Sequence, residues 1–218
     1  MRTYDRFTTC SLSVWLTAVA ALPSLAQETS TGKPAEEKPA GSQMWETMLE
    51  LAKPGENHKL LESLAGSWTY TSSLWGNTDT NTPPMESSGT TAAKSTLGGR
   101  YIQTDHTGNL MGMEFHGREI SGYDNAKKKF VSSWVDNMGT GIMMFEGIYD
   151  PATKTITYTS EYEPVPGLKT KVRQQLKLTD EDHHTLVLYE GRGDGKEWKT
   201  MEISFTRAPK SQPVPTGQ

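Results

Sequence analysis

Acids, imidazoles and an indole fall close together at a few points of the sequence, and chemistry would start there. Asp105-His106 and Glu114-x-His116 join carboxylates to bases. On alternating strands Glu114 and His116 face the same way, the geometry a metal pair needs. Trp134-x-Asp136 puts an indole and a carboxylate on one face, suited to stacking and to orienting a polar group. Nucleophilic catalysis needs Ser or Cys beside a base with an orienting acid, and no Gly-x-Ser-x-Gly elbow occurs. The single cysteine is Cys10, far from these residues. Met111-Gly-Met113 and Met143-Met144 offer soft sulfur ligands, but adaptable packing around an irregular cavity is the simpler use of methionine. His183-His184 follow Asp180-Glu-Asp and read as part of a solvated turn. Lys127-Lys-Lys129 reads as a solvated hairpin tip, and His58 as a residue that caps or packs a short helix. No Gly-rich phosphate loop precedes a helix, so nucleotide binding has no support.

The elements that must position these residues are mostly strands. Met44, Trp45, Met48, Leu49, Leu51 and Ala52 recur at helical spacing, and Pro54-Gly55 ends that helix. A second short helix is expected over 58–64. From there alternating runs follow at 67–75, 89–97, 100–107, 113–123, 129–136, 141–149, 155–162, 170–178, 185–192 and 198–207, with Gly, Pro, Asn and Asp at the joints. Tyr123-Asp-Asn-Ala-Lys-Lys-Lys-Phe-Val131 repeats as Tyr149-Asp-Pro-Ala-Thr-Lys-Thr-Ile-Thr157, and 178–186 is a looser third copy. In each a strand ends, an Asp-led turn follows, and the next strand starts on a large apolar residue. Hairpin after hairpin means an up-and-down meander, and about ten such strands avoid exposed edges best by closing. The expected fold is all-β: one antiparallel barrel of about ten strands behind a short N-terminal helical segment, with an interior large enough for a ligand.

The first residues read as an address. Arg2 and Arg6 precede an apolar run over 12–22, Pro23 breaks it, and Ser24-Leu25-Ala26 places small residues before a cleavage point at Gln27. Residues 1–26 are therefore expected to be a signal peptide, 27–43 a disordered leash, 44–208 the barrel domain and 209–218 a disordered tail. Cys10 leaves with the signal. Export to the periplasm or the outside follows. No stretch of about 18 apolar residues exists, which argues against a membrane-spanning helix, and the −4 charge, spread along 218 residues, argues against a nucleic-acid partner.

Two resemblances sharpen the fold. His58-x-x-Leu61-x-x-Leu64-x-Gly66-x-Trp68, with Arg207 closing the last strand, resembles the structural signature of lipocalins, which implies that Trp68 plugs the closed end and Arg207 stacks across it. Gly112-x-x-Phe115-x-Gly117, Gly122-Tyr123-Asp124, Trp134-x-Asp136-x-Met138-Gly-x-Gly141 and Gly147-x-Tyr149-Asp150 together resemble a bacterial family known as domain of unknown function 1579, across residues 44–207. That resemblance implies a lipocalin-like barrel, frequently exported, and assigns no activity. The lipocalins' second Thr-Asp-Tyr-like motif and their cysteines are missing, so no particular lipocalin ligand carries over.

The function expected is binding of a small, partly apolar molecule inside the barrel, without catalysis, metal or cofactor. Trp134, Asp136 and Arg173 are the candidate ligand residues, with Tyr70, Met143 and Tyr158 as apolar lining. Gly66, Trp68 and Arg207 are assigned to structure. Two other classes stay open. One is an enzyme with an acid–base, metal or haem site around Asp136 with His106 or His116, a single His being enough to hold haem in barrels that resemble nitrobindins. The other is a structural interaction module of the cell envelope.

Overall fold

The computed structural model describes residues 40–76, 82–192 and 195–209. The expected signal peptide, Cys10 and most of the leash and tail lie outside the described residues. The first helix, α1, spans Ala40–Leu51 and begins four residues before Met44, inside the segment read as leash. Met44, Trp45 and Met48 on it are more than half exposed. The second helix, α2, spans Glu56–Glu62. Seven residues are too few to hold a helix unaided, and α2 is fixed at both levels of structure. The Gly55 N–H donates to Nδ1 of His58 at 3.0 Å, while Leu61, 2% exposed, joins the barrel core.

Ten strands follow: β1 Gly66–Leu74, β2 Met85–Thr96, β3 Tyr101–Leu110, β4 Met113–Asp124, β5 Lys129–Asp136, β6 Met143–Asp150, β7 Thr155–Tyr162, β8 Thr170–Leu178, β9 His183–Gly191 and β10 Glu197–Arg207. Each is antiparallel to its sequence neighbours, and β1 pairs with β10 to close the barrel. β5, β7 and β8 have the bounds their alternation indicates. β2 begins four residues earlier than expected, because its Glu-Ser-Ser start carries little apolar signal and is held by pairing to β1.

The three copies of the repeat become three hairpins at one end, here called the base. In the first, Asp124 Oδ1 accepts the N–H groups of Ala126 and Lys127 at 2.9 and 3.0 Å. Asp150 accepts that of Ala152 at 2.9 Å, and Asp180 that of Asp182 at 2.8 Å. The last turn ends before His183, which corrects the expectation of a solvated histidine pair. His183 and His184 are the first two residues of β9 and fall on opposite faces. His183 stays exposed beside Asp180 at 2.9 Å, whereas His184 points inward and is only 7% exposed.

The base is plugged by Trp68. Its indole N–H donates to the Leu64 carbonyl at 2.9 Å, and the Arg207 guanidinium lies 4.0 Å from its ring centroid. Arg207 spends its donors on the carbonyls of Ala65, Ser63 and Glu181 at 2.9 to 3.0 Å. Gly66 stands at φ +136, a conformation that side-chain-bearing residues rarely adopt, and a Cβ there would meet that guanidinium. Above the plug lie two apolar clusters. One joins Leu61, Ile102, Phe130, Phe145, Ile156, Tyr158 and Val172; the other joins Trp68, Tyr70 and Phe205 with Leu186 and Ile203.

A lysine cannot reproduce the planar fork that meets three carbonyls and a ring at once. Arg207→Lys is expected to cost about 2 kcal/mol, read as a lower midpoint in urea unfolding. An unchanged midpoint would show that the stack contributes nothing to stability.

Candidate functional site

Strand register decides which side chains share the barrel interior. Thr104, Glu119 and Trp134 are paired neighbours across β3, β4 and β5, and so are His106, Gly117 and Asp136 one step higher. Tyr158 pairs with Gln174 across β7 and β8. All of these face inward. Thr104, His106, Glu119, Trp134 and Gln174 also keep some accessible surface although they are set within the wall of a closed barrel. Their side chains make the inner wall polar at this height.

Glu119 is the centre of this wall. Its carboxyl is surrounded by protein, and that burial raises its pKa, partly countered by the Ser132 hydroxyl beside it. Tyr158 faces it closely enough to feel its charge. Burial first, and that carboxyl second, push the phenol well above its ordinary range. His106 is held by Thr91, whose Oγ1 is 2.9 Å from the imidazole Nδ1, and burial pushes its pKa down to about 4. The Trp134 indole lies across Gly117, where any Cβ would collide with it, and so reaches within 5.4 Å of the His106 ring. Its N–H donates to Oδ2 of Asp136 at 2.7 Å, and the Met138 N–H donates to Oδ1 at 2.9 Å. Asp136 therefore sits on the inner face because both of its oxygens are satisfied there.

The sequence candidates separate into inside and outside. Trp134, Asp136, Tyr70, Met143 and Tyr158 all lie on the interior face, with Tyr158 buried in the apolar floor. Arg173 lies on the outer face, as its neighbours Val172 and Gln174 require, over the Tyr189 ring at 4.0 Å and paired with Glu197 at 2.7 Å. Asp105 and His106 project from opposite faces, and Asp105 is paired with Arg118 on the outside. Glu114 and His116 do share a face, 3.0 Å apart, but it is the exposed outer one. An acid–base set through His116 inside the barrel is thereby corrected. The methionines also need correction. Met111, Met113 and Met144 are about half exposed or more, and of the four only Met143 packs toward the core. Lys127 and Lys129 flank a hairpin and pair with Glu146. Among the described residues no three His, Cys, Asp or Glu side chains are arranged to hold a metal ion.

Sequence reasoning missed Glu119 and His184. The signal for Glu119 was present, since it alternates in phase with Phe115, Gly117, Ser121 and Tyr123 along β4. His184 stacks on Phe205 with ring centroids 4.3 Å apart and meets Trp68 edge-on at 4.4 Å. Its Nδ1 is the one enclosed side-chain polar atom without a partner among the described residues. Burial lowers its pKa to about 4, with Arg207 and His106 adding to the effect.

Two concavities open at opposite ends. A mouth of about 320 Å³ at the upper rim is lined by Leu74, Trp75, Glu190, Arg192, Trp198 and Thr200. A groove of about 360 Å³ runs outside the base between the helices and the hairpins, lined by His58, Arg100, Tyr123 and Asn125 among others. Asn125 is committed to structure there, donating to the Leu51 and Lys53 carbonyls at 2.8 and 2.9 Å. Leu74, Glu190 and Trp198 at the mouth are inward-facing residues.

The family model described as "Protein of unknown function (DUF1579)" matches residues 53–207, and the chain belongs to that family. Among solved structures, the S-type phycobiliprotein lyase CPES from Guillardia theta is similar in fold, with a TM-score of 0.50 at 9% identity over 75% of this chain and 97% of that one. A redesigned β-barrel, b11L5F_LGL, gives 0.35 at 16% identity over 70% and 95%. EF1p2_mFAP2b bound to DFHBI gives 0.37 at 11% identity over 69% and 98%. No curated protein matches the sequence.

The two interior histidines give stability a pH dependence. Their folded pKa values of about 4 lie below the ordinary 6.5, so between these values the unfolded chain binds more protons. Their contribution is complete above pH 6.5 and is lost as pH falls toward 4. Glu119, shifted upward, works in the opposite sense over its own range. Urea midpoints measured from pH 4 to 7 are expected to fall on the acid side, and His184→Phe is expected to remove about half of that fall. An equally steep decline in the variant would exclude His184 as a source.

Proposed function

We propose that this chain is an exported barrel that binds a small, partly apolar molecule in its interior and does not transform it. The observation that carries the reading is the inner wall at mid-height. Thr104, His106, Glu119, Trp134 and Gln174 face a closed barrel's interior and keep accessible surface, above an apolar floor of Phe130, Phe145 and Ile156. A mostly apolar hollow with a few placed polar groups is what small-molecule sites share. In this reading Trp134 supplies a flat face, Asp136 fixes the indole and meets a polar group near the mouth, and Met143, Tyr70 and Tyr158 line the space. Arg173 has no part in it, because it faces outward.

Native mass spectrometry of the protein isolated from its own host tests the binding directly. The wild-type chain is expected to carry a bound mass that Gln174→Trp, which fills the hollow from β8, does not. An unliganded wild-type protein that also takes up no small molecule from a screen would overturn the reading. Export is tested on the same sample: the intact mass is expected to begin at Gln27, and a mass that includes residues 1–26 in the mature protein would refute cleavage there.

A further inference from the structure

The binding reading leaves the class of molecule open, and the distribution of charge inside the barrel narrows it. Lys94, Arg118, Lys129, Lys171, Arg173 and Lys177 all alternate with inward-facing neighbours and point outward. On β10, Lys199 lies over Trp75 and pairs with Glu202, on the outer side. Arg207 faces inward only at the base, where carbonyls and the Trp68 ring occupy it. No lysine or arginine of the ten described strands therefore faces the space between the base and the mouth, and Arg192, just past β9, stands at the mouth itself, 5.6 Å from the Trp198 ring centroid. The two interior histidines are kept neutral by burial.

The carboxyls that face inward on the described strands are Glu119, Asp136 and Glu190; Asp136 accepts from Trp134 and Met138, and Glu190 accepts from the Tyr162 hydroxyl at 3.1 Å, which leaves Glu119 as the one set deep in the wall. It stands between Thr104 and Trp134 in register, with Tyr158 across from it and no side-chain cation to meet it. Burying a carboxyl without a cation is costly, and the cost is relieved either by keeping its proton or by a cation that arrives with a ligand. Trp134, Tyr158 and Phe145 surround the position with aromatic rings, whose electron-rich faces attract cations and repel anions. At the depth of Glu119 an anionic ligand would meet no counter-charge from any described strand.

Resting on the binding reading above, we propose that the barrel selects a small organic cation, an amine whose ammonium pairs with Glu119 while its body packs against Trp134, Tyr158 and Phe145. A fatty acid or any other carboxylate is disfavoured by the same residues. His106 lies one step nearer the mouth and, being neutral, adds a hydrogen-bonding group without adding charge.

Three matched probes test this: 2-phenylethylamine, 2-phenylethanol and 3-phenylpropionate, which share an aromatic body and differ in the head group. Isothermal titration of the mature chain is expected to rank the amine first, the alcohol about ten- to hundredfold weaker, and the carboxylate last. Glu119→Gln, checked for unchanged secondary structure and thermal transition, is expected to lose the preference for the amine, read as the ratio of amine to alcohol affinity falling to about one. If Glu119→Gln does not fold, Glu119→Asp, which retracts the charge by one methylene, is expected to reduce that preference. Alcohol binding equal to amine binding, or an amine preference that survives Glu119→Gln, overturns the cation proposal and leaves the cavity reading standing. Carboxylate binding tighter than amine binding overturns it outright. Failure of all three probes to bind overturns the cation proposal, while the binding reading stands or falls on the native mass spectrometry and ligand screen.

Discussion

Closure of the sheet is the constraint on which the rest depends. Ten antiparallel strands can satisfy their backbone groups without an exposed edge only if the first pairs with the last. Here that seam runs from Trp68 opposite Arg207 to Leu74 opposite Met201. The two residues that begin the seam also seal the base, since the guanidinium covers the indole and ties β10 to the chain leaving α2. The same contact therefore braces the closing seam and shuts the barrel's lower end. Gly66 stands in a conformation compatible with both because it has no side chain to place.

A closed barrel divides each strand between two solvents. The outer face carries the cations and most of the carboxylates, joined in pairs such as Arg173 with Glu197 and Lys129 with Glu146. Exposed pairs of this kind contribute little to stability, and their value lies more in solubility. The inner face carries apolar rings below and a band of polar side chains at mid-height. Three ionisable groups there have a local answer to desolvation: Thr91 for His106, Trp134 and Met138 for Asp136, Ser132 for Glu119. His184 is the exception, its Nδ1 enclosed without a partner between Phe205 and Trp68. Packing of its ring has been kept at the expense of its nitrogen.

Much of the fold was legible because alternation and turn chemistry are local. The strands β5, β7 and β8 end where the period-two pattern ends, and the Asp-led turns form at Asp124, Asp150 and Asp180. The site was legible in part. Trp134, Asp136, Tyr70, Met143 and Tyr158 lie inside, but the pairs read as chemistry from adjacency did not survive as pairs. Asp105-His106 splits across the wall because adjacent strand residues face opposite ways. Glu114 and His116 do face together, yet outward. His183-His184 splits in the same manner because β9 begins at His183, two residues earlier than its alternation indicates.

The sequence by itself determined about ten strands in meander order and the Asp-led turns that join three pairs of them, because each is written in contacts between near neighbours; the plug at the base was implied by the resemblance to lipocalins. The sequence also determined that two faces exist. Which face is inner, and therefore that Glu119 and His184 are enclosed while His116 and Arg173 are not, was decided only when β1 met β10. Closure brings Tyr158 on β7 before Glu119 on β4 and removes every strand cation from the space between base and mouth. No local pattern specifies a meeting across the width of a barrel, since it depends on the registers of all the strands in between.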